Sequence, residues 1–369
     1  MTTPQSVAIV LGTRPEIIKF APIIDACERR GVRCLIVHTG QHYSPDLDSV
    51  FFEELELPEP EYNLGVGSGS HGIQTGTMLA SIESVFLDEA PDVVLVQGDT
   101  NSTLAGALAA VKLGIPVGHV EAGLRSYDRE MPEEINRVVV DHVADFCFPP
   151  TPDAADILES EHVPGSIHVT GNTIVDAIHS YRDVAARKSD VLDRLDLEPG
   201  EFYLLTAHRA ENVDDAERFA SMLDGVARVV ESTGREAIYP IHPRSKARLV
   251  EFDIEVPEGI RVVEPLPFLD FLRLESTTAL AFTDSGGVQE ETCILGVPCV
   301  TMRYSTERPE TVHVGANCVA GTDAVDIVDA AEIMLGKDGS WPIPFGDGDA
   351  AERIMDALAV PDAKSEVAQ

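Results

Sequence analysis

Lysine is scarce in this chain: six among 369 residues, with 27 basic side chains in all against 63 acidic ones and a formal net charge of −36. So few cations exclude unassisted binding to nucleic acid or to an anionic membrane, since like charge repels both. The six cysteines, Cys27, Cys34, Cys147, Cys293, Cys299 and Cys318, contain no C-x-x-C pair. Most of them sit in apolar runs, where they are expected as buried free thiols. No apolar run is long enough to span a bilayer, and the N-terminus lacks the basic start and apolar stretch of a secretory signal. These absences predict a cytoplasmic protein. No H-E-x-x-H or clustered histidine spacing occurs, and the Asp-x-Asp pairs at Asp46/Asp48 and Asp347/Asp349 follow no convincing strand, so no metal site is predicted.

What is present is length, rhythm and acid. With 44% apolar residues the chain is too long for one compact core and suggests two domains. The acids are spread along the chain, a pattern expected of a protein adapted to high salt, where the Debye length falls to ~3 Å and self-repulsion is screened. Short β-rich runs alternate with helical patterns, beginning Val7–Leu11, Pro15–Arg30, Cys34–His38. A first set of parallel strands continues through residues 167–170. A second set opens at Phe202 after the break Glu198-Pro199-Gly200. The expected fold class is α/β, two Rossmann-like domains at 1–172 and 173–369 facing across a cleft. The last helix is a candidate to pack back on the first domain.

In open parallel sheets ligands bind beyond the carboxyl ends of the strands, so the strand-end motifs carry most weight. Gly12-Thr13-Arg14-Pro15-Glu16 follows the first strand and opens a helix, a candidate anion seat with Arg14 and Lys19 as cations. Asp99 and Glu121 end apolar strands, and Glu133 opens a further helix with Arg137 one turn on. His208 and Arg209 make a cation-rich strand end. Asp284-Ser285-Gly286-Gly287 precedes a helix whose free N–H groups suit phosphate, with Glu291 one turn in to accept two ribose hydroxyls. Arg303 and Arg308 add cations near the next strand end. Gly67-Ser68-Gly69-Ser70-His71-Gly72 matches the dinucleotide spacing, but its preceding strand is weak, and it is read as a glycine loop.

Taken in order, GTRPEIIK (12–19), QGDT (97–100), HVEAGLRS (119–126), PEEINR (132–137), AHRAEN (207–212), DSGGVQEE (284–291) and TERPE (306–310) resemble the nonhydrolysing UDP-N-acetylglucosamine 2-epimerases. The resemblance implies a glycosyltransferase-B arrangement, a homodimer, and interconversion of UDP-GlcNAc and UDP-ManNAc through 2-acetamidoglucal, with no cofactor. It makes Asp99, Glu121, Glu133 and His208 catalytic. It assigns Arg14, Lys19, Arg137, His242, Phe268, Ser285, Gly286, Gly287, Glu291 and Arg308 to substrate binding. Gln41, His42 and Gln74 become candidate effector residues, although Gln41-His42 is not followed here by the bacterial Gln-His-x-x-Met pattern. The competing readings are a hydrolysing epimerase, a UDP-sugar glycosyltransferase and a silent UDP-sugar sensor; fold alone does not separate them.

Overall fold

The computed structural model describes residues 4–41 and 51–358. The chain forms two compact units, Met1–His179 with Phe345–Gln369, and Ser180–Pro344. The break therefore falls inside the helix Thr173–Lys188 and not before it. Asp176, in the first turns of that helix, accepts hydrogen bonds from the Ala351 (2.8 Å) and Ala350 (3.3 Å) N–H groups at the start of the helix Ala350–Ala357, which belongs to the first unit.

In the first unit seven parallel strands lie in the order β3-β2-β1-β4-β5-β6-β7. They are β1 (Ser6–Leu11), β2 (Arg33–His38), β3 (Tyr62–Asn63), β4 (Val93–Gln97), β5 (Val117–Val120), β6 (Phe146–Phe148) and β7 (Ser166–Ile167). β1 and β4 are near-continuous runs of Val, Ile, Leu and Ala buried on both faces, as central strands covered by helices must be. β3 sits in the segment whose sequence is too weak to read as a strand: two residues paired on the edge to Val37 and His38. β7 likewise ends at Ile167, short of the expected residues 168–170.

The second unit carries six parallel strands in the order β10-β9-β8-β11-β12-β13. These are β8 (Phe202–Thr206), β9 (Glu236–Pro240), β10 (Ile260–Val263), β11 (Leu280–Thr283), β12 (Cys299–Thr301) and β13 (Asn317–Val319). Counted within the unit the order is 3-2-1-4-5-6, that of a doubly wound Rossmann sheet. Its core joins Tyr203 and Phe282, whose rings meet edge-on at 5.8 Å, to Phe219 and Met222 from the covering helix.

Each sheet reverses its direction of winding between two central strands, β1/β4 in one unit and β8/β11 in the other. There the flanking helices diverge and leave a crevice at the strand ends. Gly12 and Asp99 follow the first pair; His208 and Ser285 follow the second. The cysteines are unbridged, four buried and Cys34 and Cys318 partly exposed. Among the described residues no helix is long and apolar enough to cross a membrane.

Candidate active site

The turn after β1 is closed by its own chain. Gly12 lies in van der Waals confinement: a Cβ there would collide with the Thr39 and Ser102 hydroxyls, which are themselves hydrogen-bonded at 2.8 Å. The N–H groups of Gly12 and Thr13 both donate to Glu16 Oε2 at 2.8 Å, and Thr100 Oγ1 donates to Glu16 Oε1 at 2.7 Å. The anion seat expected from the sequence thus already holds an anion, the Glu16 carboxylate, 2% exposed. Burial pushes that carboxyl above its ordinary value, against the hydrogen bonds that favour the charged form. Pro15 is the second helical residue and not the first, with Thr13 at the cap. Arg14 is exposed, its guanidinium 5.7 Å from the centre of the Phe51 ring.

The acids at the ends of β4 and β5 are each held by a cation. Glu121 sits in the left-handed backbone region at φ 63°, uncommon for a residue with a side chain. Lys19 Nζ lies 2.6 Å from its Oε1, Asn172 Nδ2 donates to the same oxygen at 2.8 Å, and Gln97 donates to Oε2. Asp99 pairs with Arg137, which also bridges to Glu134 at 2.9 Å. Glu134 in turn accepts from the Ser126 and Tyr127 N–H groups; these and Arg137 hold it below its ordinary value although burial works the other way. Glu133 is exposed in the first turn of the helix Pro132–Val143, and its side chain makes no hydrogen bond to another described residue.

Beneath these acids the fully buried His119 ring, on β5, reaches Asp141 Oδ1 (2.7 Å) and the Gly98 carbonyl (2.8 Å), tying the turn after β4 to the helix Pro132–Val143. Arg125 lies 2.7 Å from Asp141 Oδ2, and Gly123 N donates to it at 3.2 Å. His119 and Arg125 hold the Asp141 carboxyl below its usual range despite burial.

Two of the three effector candidates are brought together. Gln74 donates to the Gly67 carbonyl at 2.8 Å and to the Gln41 carbonyl at 3.3 Å, while Gln41 Oε1 accepts from Ser102 Oγ at 2.8 Å. Asn101 Nδ2 donates to Gln74 Oε1 (2.8 Å), and Asn136 Nδ2 donates to both Asn101 Oδ1 (3.3 Å) and the Asp99 carbonyl (2.8 Å). The glycine loop at 67–70 runs between β3 and the helix His71–Glu89 and is anchored through this cluster. His42, together with Asp46 and Asp48, lies outside the described residues.

The second unit offers a different kind of turn. Asp284, fully buried after β11, accepts from the backbone N–H of His208 (3.0 Å) and Arg209 (2.9 Å) and from Asn212 Nδ2 (3.2 Å), fixing the turn after β8. The Ala207 carbonyl is held from the other side by Tyr239 Oη (2.8 Å) and Ser245 Oγ (2.6 Å). His208 Nδ1 lies 3.3 Å from Asp284 Oδ1, and its ring is 5.7 Å from that of His242. Partial burial, with smaller contributions from His242 and Arg209, lowers the His208 pKa from its ordinary 6.5 despite Asp284, so the ring is neutral at pH 7. His242 caps the helix Pro243–Glu251 by accepting from Arg244 N at 3.1 Å. A cavity of about 240 Å³ opens here, lined by Thr206, His208, His242, Leu266, Phe271 and Ser285 among others.

Ser285 caps the helix Gly286–Leu295, and the N–H groups of Gly286 and Gly287 carry no hydrogen bond to another described residue. Neither glycine has a positive φ, and a Cβ on either would meet nothing nearer than 3.8 Å. Nothing in the chain's own packing requires glycine at these two positions. The nearest side-chain atoms to Gly286 are Arg209 Nη2 and Glu307 Oε2, from two side chains that pair through Arg209 Nη1 and Glu307 Oε1 at 3.6 Å; Arg303 holds the Glu307 carboxyl down at about 2, against its burial.

Three candidates stand apart from the cavity. The Phe268 ring packs edge-on against Tyr181 at 6.0 Å, and Phe271, which the sequence did not single out, lines the cavity instead. Arg308 Nε lies 2.7 Å from Glu290 Oε1. Glu291 is half-buried one turn into the Gly286–Leu295 helix, beside Glu275. Among the described residues no group of three or more His, Cys, Asp or Glu is arranged to hold a metal ion.

Residues 25–359 match the family model described as UDP-N-acetylglucosamine 2-epimerase. The chain is 51% identical to the UDP-N-acetylglucosamine 2-epimerase of Methanocaldococcus jannaschii, covering 96% of this chain and 99% of that one, and 48% identical to that of Methanococcus maripaludis, covering 95% and 98%. The crystal structure of the M. jannaschii protein in complex with UDP-GlcNAc and UDP superposes with a TM-score of 0.84 at 51% identity, over 96% of this chain and 99% of that one.

Proposed function

The chain belongs to the UDP-N-acetylglucosamine 2-epimerase family, and from that premise we propose that it interconverts UDP-GlcNAc and UDP-ManNAc without hydrolysis. The observation that carries this reading is a division of labour between the two units. One has acids at strand ends, each set against its own cation or left open to solvent. The other has a glycine turn with unpaired N–H groups beside His208 and Arg209.

The reaction needs both. Loss of the C2 proton to a base and cleavage of the C1–O bond release UDP and leave 2-acetamidoglucal; protonation of C2 from the other face and re-addition of UDP at C1 give the epimer. Asp99, Glu121 and Glu133 are assigned the proton transfers at C2. Lys19 and the amides of Gln97 and Asn172 fix where the Glu121 oxygens point. The diphosphate gains negative charge as it leaves, and His208, Ser285, Gly286 and Gly287 are assigned its stabilisation; a neutral His208 is poised to become a cation as that charge develops. Glu291 is assigned the ribose hydroxyls. Arg14, Arg137, His242, Phe268 and Arg308 complete the proposed substrate contacts, and Gln41, His42 and Gln74 a second nucleotide-sugar site. No step calls for a nicotinamide or a metal.

The test is an NMR time course with UDP-GlcNAc in deuterated water. The expected product is a mixture of both UDP-sugars carrying deuterium at C2. Free ManNAc with UDP would instead mark a hydrolysing enzyme, dependence on an acceptor a glycosyltransferase, and products without C2 exchange would end the elimination mechanism. The reading extends to a cytoplasmic homodimer and to work at high salt, the last of which the charge of −36 supports; a melting temperature unchanged between low and molar KCl would remove the salt adaptation.

A further inference from the structure

The helix Phe268–Thr277 carries a carboxyl that none of these steps uses. Glu275 is fully enclosed, no cation or N–H donor among the described residues reaches either of its oxygens, and the one side-chain hydrogen bond open to it is with Glu291, a second acid. A carboxylate buried without a partner is costly enough that the group keeps its proton instead. The elements packed against this helix are Val191–Leu195 and Gly286–Leu295, with Tyr181 of the helix Thr173–Lys188, whose charged residues are Asp176, Arg182, Asp183, Arg187 and Lys188, reaching Phe268 at its start. They bring Asp193 and Arg194 from the first, and Glu290, Glu291 and Cys293 from the second; the helix itself adds Asp270 and Arg273. Arg194 is engaged by Asp270 at 2.6 Å, and Glu290 by Arg308 at 2.7 Å. From the strand side, the Cys299 thiol feels the Glu275 carboxyl but is itself pushed up to about 12 by burial and stays neutral. The charged group that acts on Glu275 is Glu291, a second acid.

We propose that Glu275 is a positioning residue for nucleotide binding: it holds the single proton of the Glu275–Glu291 pair, which leaves Glu291 as the carboxylate that receives the ribose hydroxyls, and loss of that proton sets an alkaline limit to UDP affinity. The proposal rests on the reading of Glu291 as a ribose ligand. Burial first, and the neighbouring Glu291 second, push Glu275 well above the ordinary 4.5. Two carboxylates side by side in a dry setting repel, and Glu291, the less buried of the two, is the one the repulsion displaces from the ribose position. A carboxyl whose folded pKa is raised also lowers stability as pH climbs from its unfolded value towards its folded one. A neutral replacement therefore removes both penalties.

The experiment compares the full-length protein with Glu275→Gln, an isosteric side chain that stays neutral and can still donate, and with Glu275→Met as an apolar alternative should the amide not fold. UDP binding is followed by calorimetry from pH 6.5 upward, and the wild-type-minus-variant infrared spectrum is recorded at neutral pH. The expected results are a protonated-carboxyl band present in wild type and missing from the variant, and a wild-type Kd that climbs relative to the variant by up to about tenfold per pH unit once Glu275 ionises. An absent band, or parallel curves of Kd against pH, would overturn the role of Glu275. If wild type fails to bind UDP at every pH, the functional reading itself falls instead, so the two failures are distinguishable.

Discussion

The two βα turns at the winding-reversal points, Gly12–Glu16 and Ser285–Gly287, are built from the same ingredients and end in opposite states. Both follow a buried strand, both contain glycine and both open a helix. At the first, Glu16 occupies the N–H groups and the Thr39 and Ser102 hydroxyls fill the space beside Gly12. At the second, no acid among the described residues reaches the helix start and no side chain among them comes nearer to the glycines than 3.8 Å; the carboxylate at that distance, Glu307, is held by Arg303 and Arg209. A helix N-terminus attracts an anion whatever its source, so what decides between scaffold and binding site is whether a carboxylate three residues into the same helix reaches back. Glu16 stands at that position in one turn; Val288 stands there in the other.

The comparison can be broken most severely by adding one methyl group to each turn. Gly12→Ala is expected to cost about 3 kcal/mol or more of stability, or to prevent folding, because the added carbon collides with two hydroxyls that are fully buried and bonded to each other. Gly286→Ala should leave the melting curve almost where it was. Equal losses in thermal melts would show that the two turns do not differ as described.

Next in size are the chemical groups. Asp99→Asn, Glu121→Gln, Glu133→Gln and His208→Asn are each expected to lower turnover by at least ~100-fold with folding intact. Affinity for UDP should separate them: preserved in the three first-unit variants, weakened in His208→Asn. Calorimetry giving the same UDP affinity for all four would place His208 away from the diphosphate.

Gly286→Ala is then expected to weaken UDP about tenfold, since its Cβ intrudes on the space beside the unpaired N–H groups. An affinity equal to wild type would mean that the phosphate does not approach this turn.

The smallest effect is a proton. The pKa of His208 is lowered in the free protein, and a bound diphosphate dianion raises it again. Between those two values UDP binding takes up a fraction of a proton, and affinity rises as pH falls. Calorimetry in buffers of different ionisation enthalpy reads this directly; an uptake that persists in His208→Asn would assign it to another group.

Most of this fold could be read from the sequence because the central strands are continuous apolar runs, which announce themselves at a length of four or five residues. The edge strands β3 and β7 could not, since two residues hold no pattern; β3 exists because β2 presents Val37 and His38 to it. The strand-end motifs located the candidate side chains but not their state. Glu16 stands three residues after Thr13, the spacing of a capping box, so its place as occupant of the seat follows a local pattern, whereas its bond to Thr100, 84 residues away, does not. Asp284, Asn172 and Gln97 hold the candidates in place through contacts that span 24 to 76 residues, beyond any local pattern. Glu275 is invisible in the sequence for the same reason: an acid amid Leu, Arg and Ser on a helix gives no hint that it is sealed inside.

The return of the chain to the first unit at Phe345 has a consequence for synthesis on the ribosome. Ser180–Pro344 is a continuous stretch, complete before the last helix of the other unit has been made. We infer that it needs no residue from beyond Pro344 to reach its final form, while Asp176 and the face of the Arg14–Arg30 helix that receives Met355 and Glu352 wait for the residues after Phe345. Nascent chains ending at Pro344 and extended by an unrelated linker long enough to clear the ribosome tunnel should then yield to protease in their amino-terminal half and resist in Ser180–Pro344; the reverse pattern would show that the amino-terminal unit stands without its closing helix.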